Sequence, residues 1–319
     1  MKSGKYIIVT GGAGFIGSHL VERLLKVGKN VVVIDDLSTG SRENLRAVAT
    51  HRNFRFIQSK ISAYSELPEL AADAEFIFHL AATVGVELVV KSALHVLEAS
   101  FHETEILLKA AAKHSTPLLL TSTSEVYGKS VKAEFSEDDD LLIGPPVQSR
   151  WSYACSKLMD EFLALAYARE KELPVIIARL FNTVGPRQTG RYGMVLPRFI
   201  AAAKSGAPLK VFGDGAQSRC FCLVHDVVEA LVRLPQCEKA RGEIFNIGGT
   251  EEISILELAK LVVATLGSNS KIELIPYDQA YAPGFDDMRR RKPRVEKLER
   301  CVNFKPQTPL REIIRLTAG

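Results

Sequence analysis

Tyr153 and Lys157 stand four residues apart in Tyr153-Ala154-Cys155-Ser156-Lys157, a spacing that puts both on one helix face. A lysine ammonium beside a phenol favours the phenolate. A lowered pKa lets the tyrosine take a proton from a hydroxyl near neutral pH. Taken alone, the pair reads equally as two neighbours on a surface helix. A second constellation tips the reading toward chemistry. Gly11-Gly12-Ala13-Gly14-Phe15-Ile16-Gly17 follows the apolar run Tyr6–Thr10 and opens a helical pattern. Glycines at 11, 14 and 17 allow a tight turn, close approach to a pyrophosphate and packing of helix on strand. The helix N-terminus then faces the phosphates. The next apolar run ends in Asp35-Asp36, where a carboxylate can accept hydrogen bonds from an adenosine ribose. The spacing points to a dinucleotide, and to NAD rather than NADP. Its positively charged nicotinamide would further favour the phenolate.

These residues need elements that carry them to one place. Apolar β-type runs occur at Tyr6–Thr10, Asn30–Ile34, Phe54–Ile57, Glu75–Leu80, Leu118–Ser122 and Val175–Leu180. Helical patterns lie between most of them: Phe15–Val27, about Leu94–His114, and Ser152–Glu172. Continuous apolar strands alternating with helices predict an α/β fold, a doubly wound parallel sheet of Rossmann type covered on both faces. Beyond Asn182, Gly and Pro become frequent and the units shorten: a helix at Val195–Lys204, a strand at Leu209–Phe212, and a helix at Asp226–Leu234. Another helix begins at Ser254, runs through Leu266 and stops at Gly267. Residues 1–182 are read as the NAD-binding domain and 183–319 as mainly a smaller, mixed α/β substrate domain. The boundary is soft, because later segments can return to the first sheet.

Composition removes several alternatives. Of the 319 residues, 46% are apolar and 24% charged, which excludes a disordered or collagen-like chain. No apolar stretch is long enough to span a bilayer. The N-terminus reads as a strand followed by a turn, not a signal peptide. A net charge of +4, with basic residues mostly dispersed, gives no stripe for nucleic acid. The densest basic run, Arg289-Arg290-Arg291-Lys292, suits a solvated face. Five scattered cysteines suggest reduced thiols in the cytoplasm, and no histidine pair or Cys spacing suggests a metal.

Taken with the glycine turn, Asp35-Asp36-Leu37-Ser38-Thr39-Gly40, His79-Leu80-Ala81-Ala82, Tyr153–Lys157 and Arg179-Leu180-Phe181-Asn182 resemble the extended short-chain dehydrogenase/reductases. Within that family the chain resembles the nucleotide-sugar epimerases, dehydratases and decarboxylases over nearly its whole length. The resemblance implies that Phe15, Ile16, Ser38, Thr39, Gly40, Leu80, Ala81 and Ala82 bind NAD with Gly11, Gly14, Gly17, Asp35, Asp36, Tyr153 and Lys157. Thr123 takes the place of the catalytic hydroxyl. Two positions depart from the family pattern: Ser59-Lys60 replaces a Gly-Asp that contacts adenine, and Ser100 replaces an asparagine.

The implied reaction starts with Tyr153 taking the C4 hydroxyl proton of a nucleotide-linked sugar while C4 hydride passes to NAD. The 4-keto sugar then has three fates: loss of carbon dioxide if C5 carries a carboxylate, return of hydride on the other face, or loss of water across C5–C6. Thr123-Ser124-Glu125, Arg150 and the segment from Tyr281 to Pro293, with Arg291, resemble enzymes that decarboxylate UDP-glucuronate. The reading therefore favours decarboxylation, with Glu125 catalytic. UDP-hexose or UDP-hexuronate 4-epimerisation comes next, then 4,6-dehydration. A redox-silent scaffold is the remaining reading, motivated by Ser59-Lys60 and Ser100. Val84, Ser124, Arg150, Asn182, Arg219 and Arg291 are the expected substrate contacts, the substrate being UDP-linked. The family also implies a homodimer through the two long helices, with Leu163, Ala164, Tyr167 and Ala168 as candidate contacts. His225-Asp226 reads as a helix-start cap.

Overall fold

Runs of Val and Ile become strands buried on both faces, as parallel pairing between helical layers requires. The computed structural model describes residues 5–82, 93–149, 151–189, 194–276 and 288–319. Its first half alternates β1 (Tyr6–Thr10), α1 (Phe15–Lys26), β2 (Val31–Asp35), β3 (Phe54–Gln58), α2 (Leu67–Ala72) and β4 (Ala74–His79). Then come α3 (Ala93–Ala112), β5 (Leu118–Thr123), α4 (Trp151–Lys171) and β6 (Val175–Leu180). Short strands β7 (Thr183–Val184), β8 (Leu209–Phe212), β9 (Ser218–Cys220) and β10 (Cys222–Leu223) follow, with α5 (Val195–Ser205) between β7 and β8. The chain ends with α6 (Val224–Arg233), β11 (Glu243–Ile247), β12 (Glu252–Ser254), α7 (Ile255–Leu266), β13 (Ile272–Ile275), α8 (Glu296–Val302) and α9 (Leu310–Ala318).

Among the described residues, seven strands form one parallel sheet in the order β11-β6-β5-β4-β1-β2-β3. This is the doubly wound arrangement expected, and the order reverses between β1 and β4, where such sheets open a crevice. The period of two divides the strand side chains between the layers. Ile7 and Val9 face one core with Leu20 and Leu24 of α1 and Val227 and Leu231 of α6. Ile8 faces the other, with Leu107 of α3 and Ala164 of α4. The late strand β11 pairs with β6 from Glu243 opposite Ile176 to Ile247 opposite Leu180, so the chain beyond 182 does return to the first sheet. A third core joins Phe199 of α5, Leu258 and Val262 of α7 and Ile314 of α9. The Ser254 hydroxyl accepts from the Glu257 N–H at 3.1 Å, and Gly267 ends α7 at φ 62°, both as the sequence indicates.

Several expectations are corrected. Ala164 is buried, and Leu163, Tyr167 and Ala168 pack against the same core, so these four point inward. The outward apolar side chains of α4 are Met159 and Phe162, 52% and 59% exposed. Cys237 and Cys301 form a disulfide with Cα atoms 6.4 Å apart, contrary to uniformly reduced thiols; Cys155, Cys220 and Cys222 are free. Asp226 does not cap α6, whose N-cap is Leu223; its carboxylate accepts from the Thr308 N–H at 3.1 Å. Among the described residues, no helix is long and apolar enough to cross a membrane, and no group of His, Cys, Asp or Glu is placed to hold a metal.

Candidate active site

The glycine turn is shaped by close approach. A Cβ on Gly17 would lie 2.1 Å from the Gly11 carbonyl oxygen, so only glycine lets α1 start against the strand end. Gly11 itself sits at φ +69°, and a Cβ there would press on Leu80 and Ala81. A Cβ on Gly14 would meet only the Gly11 oxygen, at 3.2 Å. No side chain caps α1, and its first turn holds no acidic residue. Its N-terminal N–H groups therefore favour an anion, and the cradle fits a dinucleotide pyrophosphate. The turn opens on a cavity of about 870 Å³ that runs past the strand ends to Tyr153, Lys157 and Arg291.

Of the expected cofactor residues, Gly11, Gly14, Phe15, Ile16, Gly17, Asp35, Asp36, Ser38, Thr39, Leu80, Ala81 and Ala82 border this cavity. Gly40 instead packs behind the turn, where a Cβ would come within 3.0 Å of Ala13. Asp35 braces the turn: its two oxygens accept from the Ala13 N–H at 2.9 Å and the Leu37 N–H at 2.8 Å. Burial pushes its carboxyl pKa up against those bonds. Asp36, less buried and accepting from the Ser38 N–H at 2.9 Å, is the more open carboxylate for a ribose. Ser59 and Lys60 border the same end.

At the catalytic end, α4 supplies Tyr153 and Lys157, and the end of β5 supplies Thr123. The Thr123 hydroxyl accepts from the Glu125 N–H at 3.2 Å and hydrogen-bonds Tyr153. The expected lowering of the Tyr153 pKa is not found. Burial, then the Glu125 and Asp160 carboxylates, raise the phenol above its ordinary value, and the bond from Thr123 opposes them. Lys157, the expected cause of a lowered value, donates its Nζ to Asp160 at 2.9 Å within the interior. Sequence reading passed over Asp160, although it lies three residues beyond Lys157 on the same face.

A second buried pair sits alongside. Arg179 on β6 donates to Glu161 of α4 through Nη2 at 2.8 Å and Nε at 3.1 Å, and Ser122 also donates to Glu161. Arg179 Nη1 reaches the Tyr127 hydroxyl at 3.0 Å, which donates to Asn246 of β11 at 2.7 Å. This network ties α4, β5, β6 and β11 together beneath the site. The sequence marked Arg179 only as part of a motif.

Of the expected substrate residues, Ser124, Asn182 and Arg291 border the cavity, as does Glu125, expected to be catalytic. Arg291 Nη2 lies 2.6 Å from Glu125 Oε1. Asn182 donates to the Cys220 carbonyl at 2.9 Å. Arg219 is buried but not in the cavity wall, and its Nη1 donates to the Ser218 carbonyl at 2.8 Å. Val84, Arg150, the stretch 281–287 and the Ser100 side chain lie outside the described residues. Arg187, which the sequence reading did not single out, borders the cavity and bonds Ser18 Oγ at 3.1 Å and Glu22 at 2.5 Å. Its only sequence signal was the Gly185-Pro186 turn before it.

A model of the NAD dependent epimerase/dehydratase family matches residues 7–248. A UDP-N-acetyl-alpha-D-glucosaminuronate decarboxylase from Bacillus cytotoxicus is 42% identical over 95% of this chain and 93% of its own length. UDP-glucuronic acid decarboxylase 4 of Arabidopsis thaliana is 35% identical over 96% of this chain, which spans 66% of that relative. Among solved structures, the UDP-glucuronic acid 4-epimerase of Bacillus cereus, in complex with UDP-glucuronic acid and NAD, superposes with a TM-score of 0.87. It is 30% identical over 98% of each chain.

Proposed function

The chain belongs to the NAD-dependent epimerase/dehydratase family, and from that premise we propose that it decarboxylates a UDP-linked hexuronate through a 4-keto intermediate. The protein is an enzyme of nucleotide-sugar chemistry, and its cofactor is NAD. Held by the glycine turn and the Asp35-Asp36 end, NAD would supply the acceptor for the C4 hydride and the source of its return. Tyr153 takes the C4 hydroxyl proton, and Thr123 holds the reacting oxygen by a hydrogen bond. With the C4 ketone β to the C5 carboxylate, the C5–C6 bond electrons move into the carbonyl as carbon dioxide leaves. A proton delivered to C5 closes the step, leaving a sugar one carbon shorter.

The observation that carries this reading is the Glu125–Arg291 pair in the cavity wall on the Tyr153 side. Buried Arg291 keeps its Nε without a partner among the described residues, a donor suited to a carboxylate or diphosphate. Glu125 lies close enough to act on Tyr153, which supports a role in exchanging a proton with the sugar. Decarboxylases at 42% and 35% identity support the same choice. The second reading is 4-epimerisation of a UDP-hexuronate, favoured by the likeness to the Bacillus cereus 4-epimerase. Incubating the enzyme and NAD with UDP-glucuronate and with its 2-acetamido analogue, then weighing the products, tests both. Loss of carbon dioxide is the expected result, whereas an unchanged mass with inverted C4 establishes epimerisation.

A homodimer belongs to the same proposal. Leu94 of α3 is 69% exposed, and Met159 and Phe162 are exposed on α4, which packs beside it, so both helices present apolar side chains to solvent. Light scattering that finds only the 35.1 kDa monomer at micromolar concentration removes it. A cytoplasmic location suits the three free thiols but not the Cys237–Cys301 bond. Thiol labelling of the protein unfolded in denaturant immediately on lysis decides: five reactive cysteines support the cytoplasm, and three do not.

A further inference from the structure

Tyr153, Lys157 and Asp160 occupy positions i, i+4 and i+7 of α4, one narrow stripe of the helix. Lys157 and Asp160 keep only 3% and 0% of their side-chain surface exposed. Asp160 Oδ2 accepts from Lys157 at 2.9 Å, and its other oxygen has no partner among the described residues. A buried carboxylate with half its acceptor capacity empty is a costly way to fill space. Nor is it needed to anchor the helix, since Glu161 next to it already binds Arg179.

We propose that Asp160 is a positioning residue of this site: it fixes the Lys157 ammonium on the Tyr153 face of α4 and offsets the positive charge against which Tyr153 changes protonation. The proposal rests on the reading of Tyr153 as the acid/base. The surrounding groups leave this role to the pair. From the 3₁₀ turn after β5, Glu125 is engaged by Arg291. From β5 itself, Thr123 hydrogen-bonds the phenol and Ser122 is engaged by Glu161. From β4, His79 is held neutral by burial, with Lys157 adding to that effect. From α3, Thr104 bonds His79 and Glu103 is engaged by Ser62. Glu161 on α4 is matched by Arg179. Asp160 is thus the carboxylate placed to offset Lys157, and the phenol is raised in consequence of burial, Glu125 and Asp160 together.

Neutralising Asp160 leaves the ammonium uncompensated and favours the phenolate. In Asp160→Asn, the rising limb of the kcat/KM profile against pH, measured on the NAD-loaded enzyme, should therefore move down by about one pH unit. A direct readout accompanies it: the tyrosinate absorbance step that disappears in Tyr153→Phe should shift down by the same amount. Asp160→Glu keeps the charge and should restore the wild-type position of both. If the asparagine variant does not fold, Asp160→Ser supplies the neutral side chain for the same comparison. Superimposable profiles in wild type and the neutral variant, with only a lower Tm, overturn the proposal. Near-normal turnover in Tyr153→Phe instead overturns the acid/base reading beneath it, so the two failures are distinguishable.

Discussion

Two buried polar regions of this molecule handle charge in opposite ways. Beneath the dinucleotide turn, the buried titratable groups have neutral partners: Asp35 takes the Ala13 and Leu37 amides, and His79 is bonded to Thr10 at 2.7 Å and Thr104 at 3.1 Å. Burial holds His79 neutral, its pKa lowered to about 3. Beneath the catalytic end, ionic groups are retained and matched: Lys157 with Asp160, Arg179 with Glu161, and Arg291 with Glu125. The chemistry explains the difference. The cradle binds an anion through backbone N–H groups and needs no side-chain cation to do so. The proposed reaction uses an ammonium and a guanidinium at the catalytic end, and neither is stable in the interior without a counter-charge. The first region is made by shape, the second by neutralisation.

If that division is right, damage to one region should leave the other intact. The largest effect is expected for Tyr153→Phe, which removes the proton acceptor and keeps the ring. Turnover should fall about 10²–10⁴-fold, while NAD binding by calorimetry stays as in the wild type. A parallel loss of NAD affinity would break the separation between the regions.

The next effect is on stability. Glu161→Leu leaves Arg179 charged and buried, and breaking such a pair costs about 3–5 kcal/mol. Urea titration should show that loss, and the double variant Glu161→Leu with Arg179→Met should recover much of it. A single variant as stable as the wild type would show that the pair is not what neutralises this interior.

The smallest effect concerns His79 and sharpens the contrast. Its folded pKa lies below the unfolded value of about 6.5. Its full contribution is therefore present above that pH. As the pH falls toward the folded value, the unfolded chain binds a proton that the native state refuses. Stability should drop by about 1.4 kcal/mol per pH unit in that window. Carboxylates such as Glu252, which the bond from Arg290 holds below its ordinary value, add their losses only at lower pH. The slope from pH 6 to 5, followed by urea unfolding, should shrink in His79→Gln. An unchanged slope would mean that another group carries it.

Much of the frame was legible because it is written locally. The run Tyr6–Thr10 and the run Val175–Leu180 coincide with β1 and β6, and Ser254 and Gly267 bracket α7 as their types indicate. Periodicity and capping depend on neighbours a few residues away, so they survive the absence of a structure. Strand β11 was not legible: Glu243–Ile247 mixes Glu243 and Asn246 with its three apolar residues, and only its place beside β6 distinguishes it from a loop. The inward set Leu163, Ala164, Tyr167 and Ala168 was misassigned because a helix with two apolar faces does not say which one meets the sheet.

The site divides along the same line. The sequence by itself determined the glycine turn and the helix face carrying Tyr153 and Lys157, because each follows from spacing between near neighbours; the hydroxyl at Thr123 came from the family resemblance. Only the tertiary structure decided where the charges go. It turned Asp35 to the Ala13 and Leu37 amides, brought Arg291 onto Glu125 and gave Glu161 to Arg179. It also joined Cys237 to Cys301 across a separation of 64 residues. Even Asp160, one turn from Lys157 in sequence, gained its meaning from burial: the same pair on an exposed helix is worth a few tenths of a kcal/mol. In the interior, which partner a charge finds depends on what the folded chain carries within reach once water is gone, and spacing along the chain does not encode that.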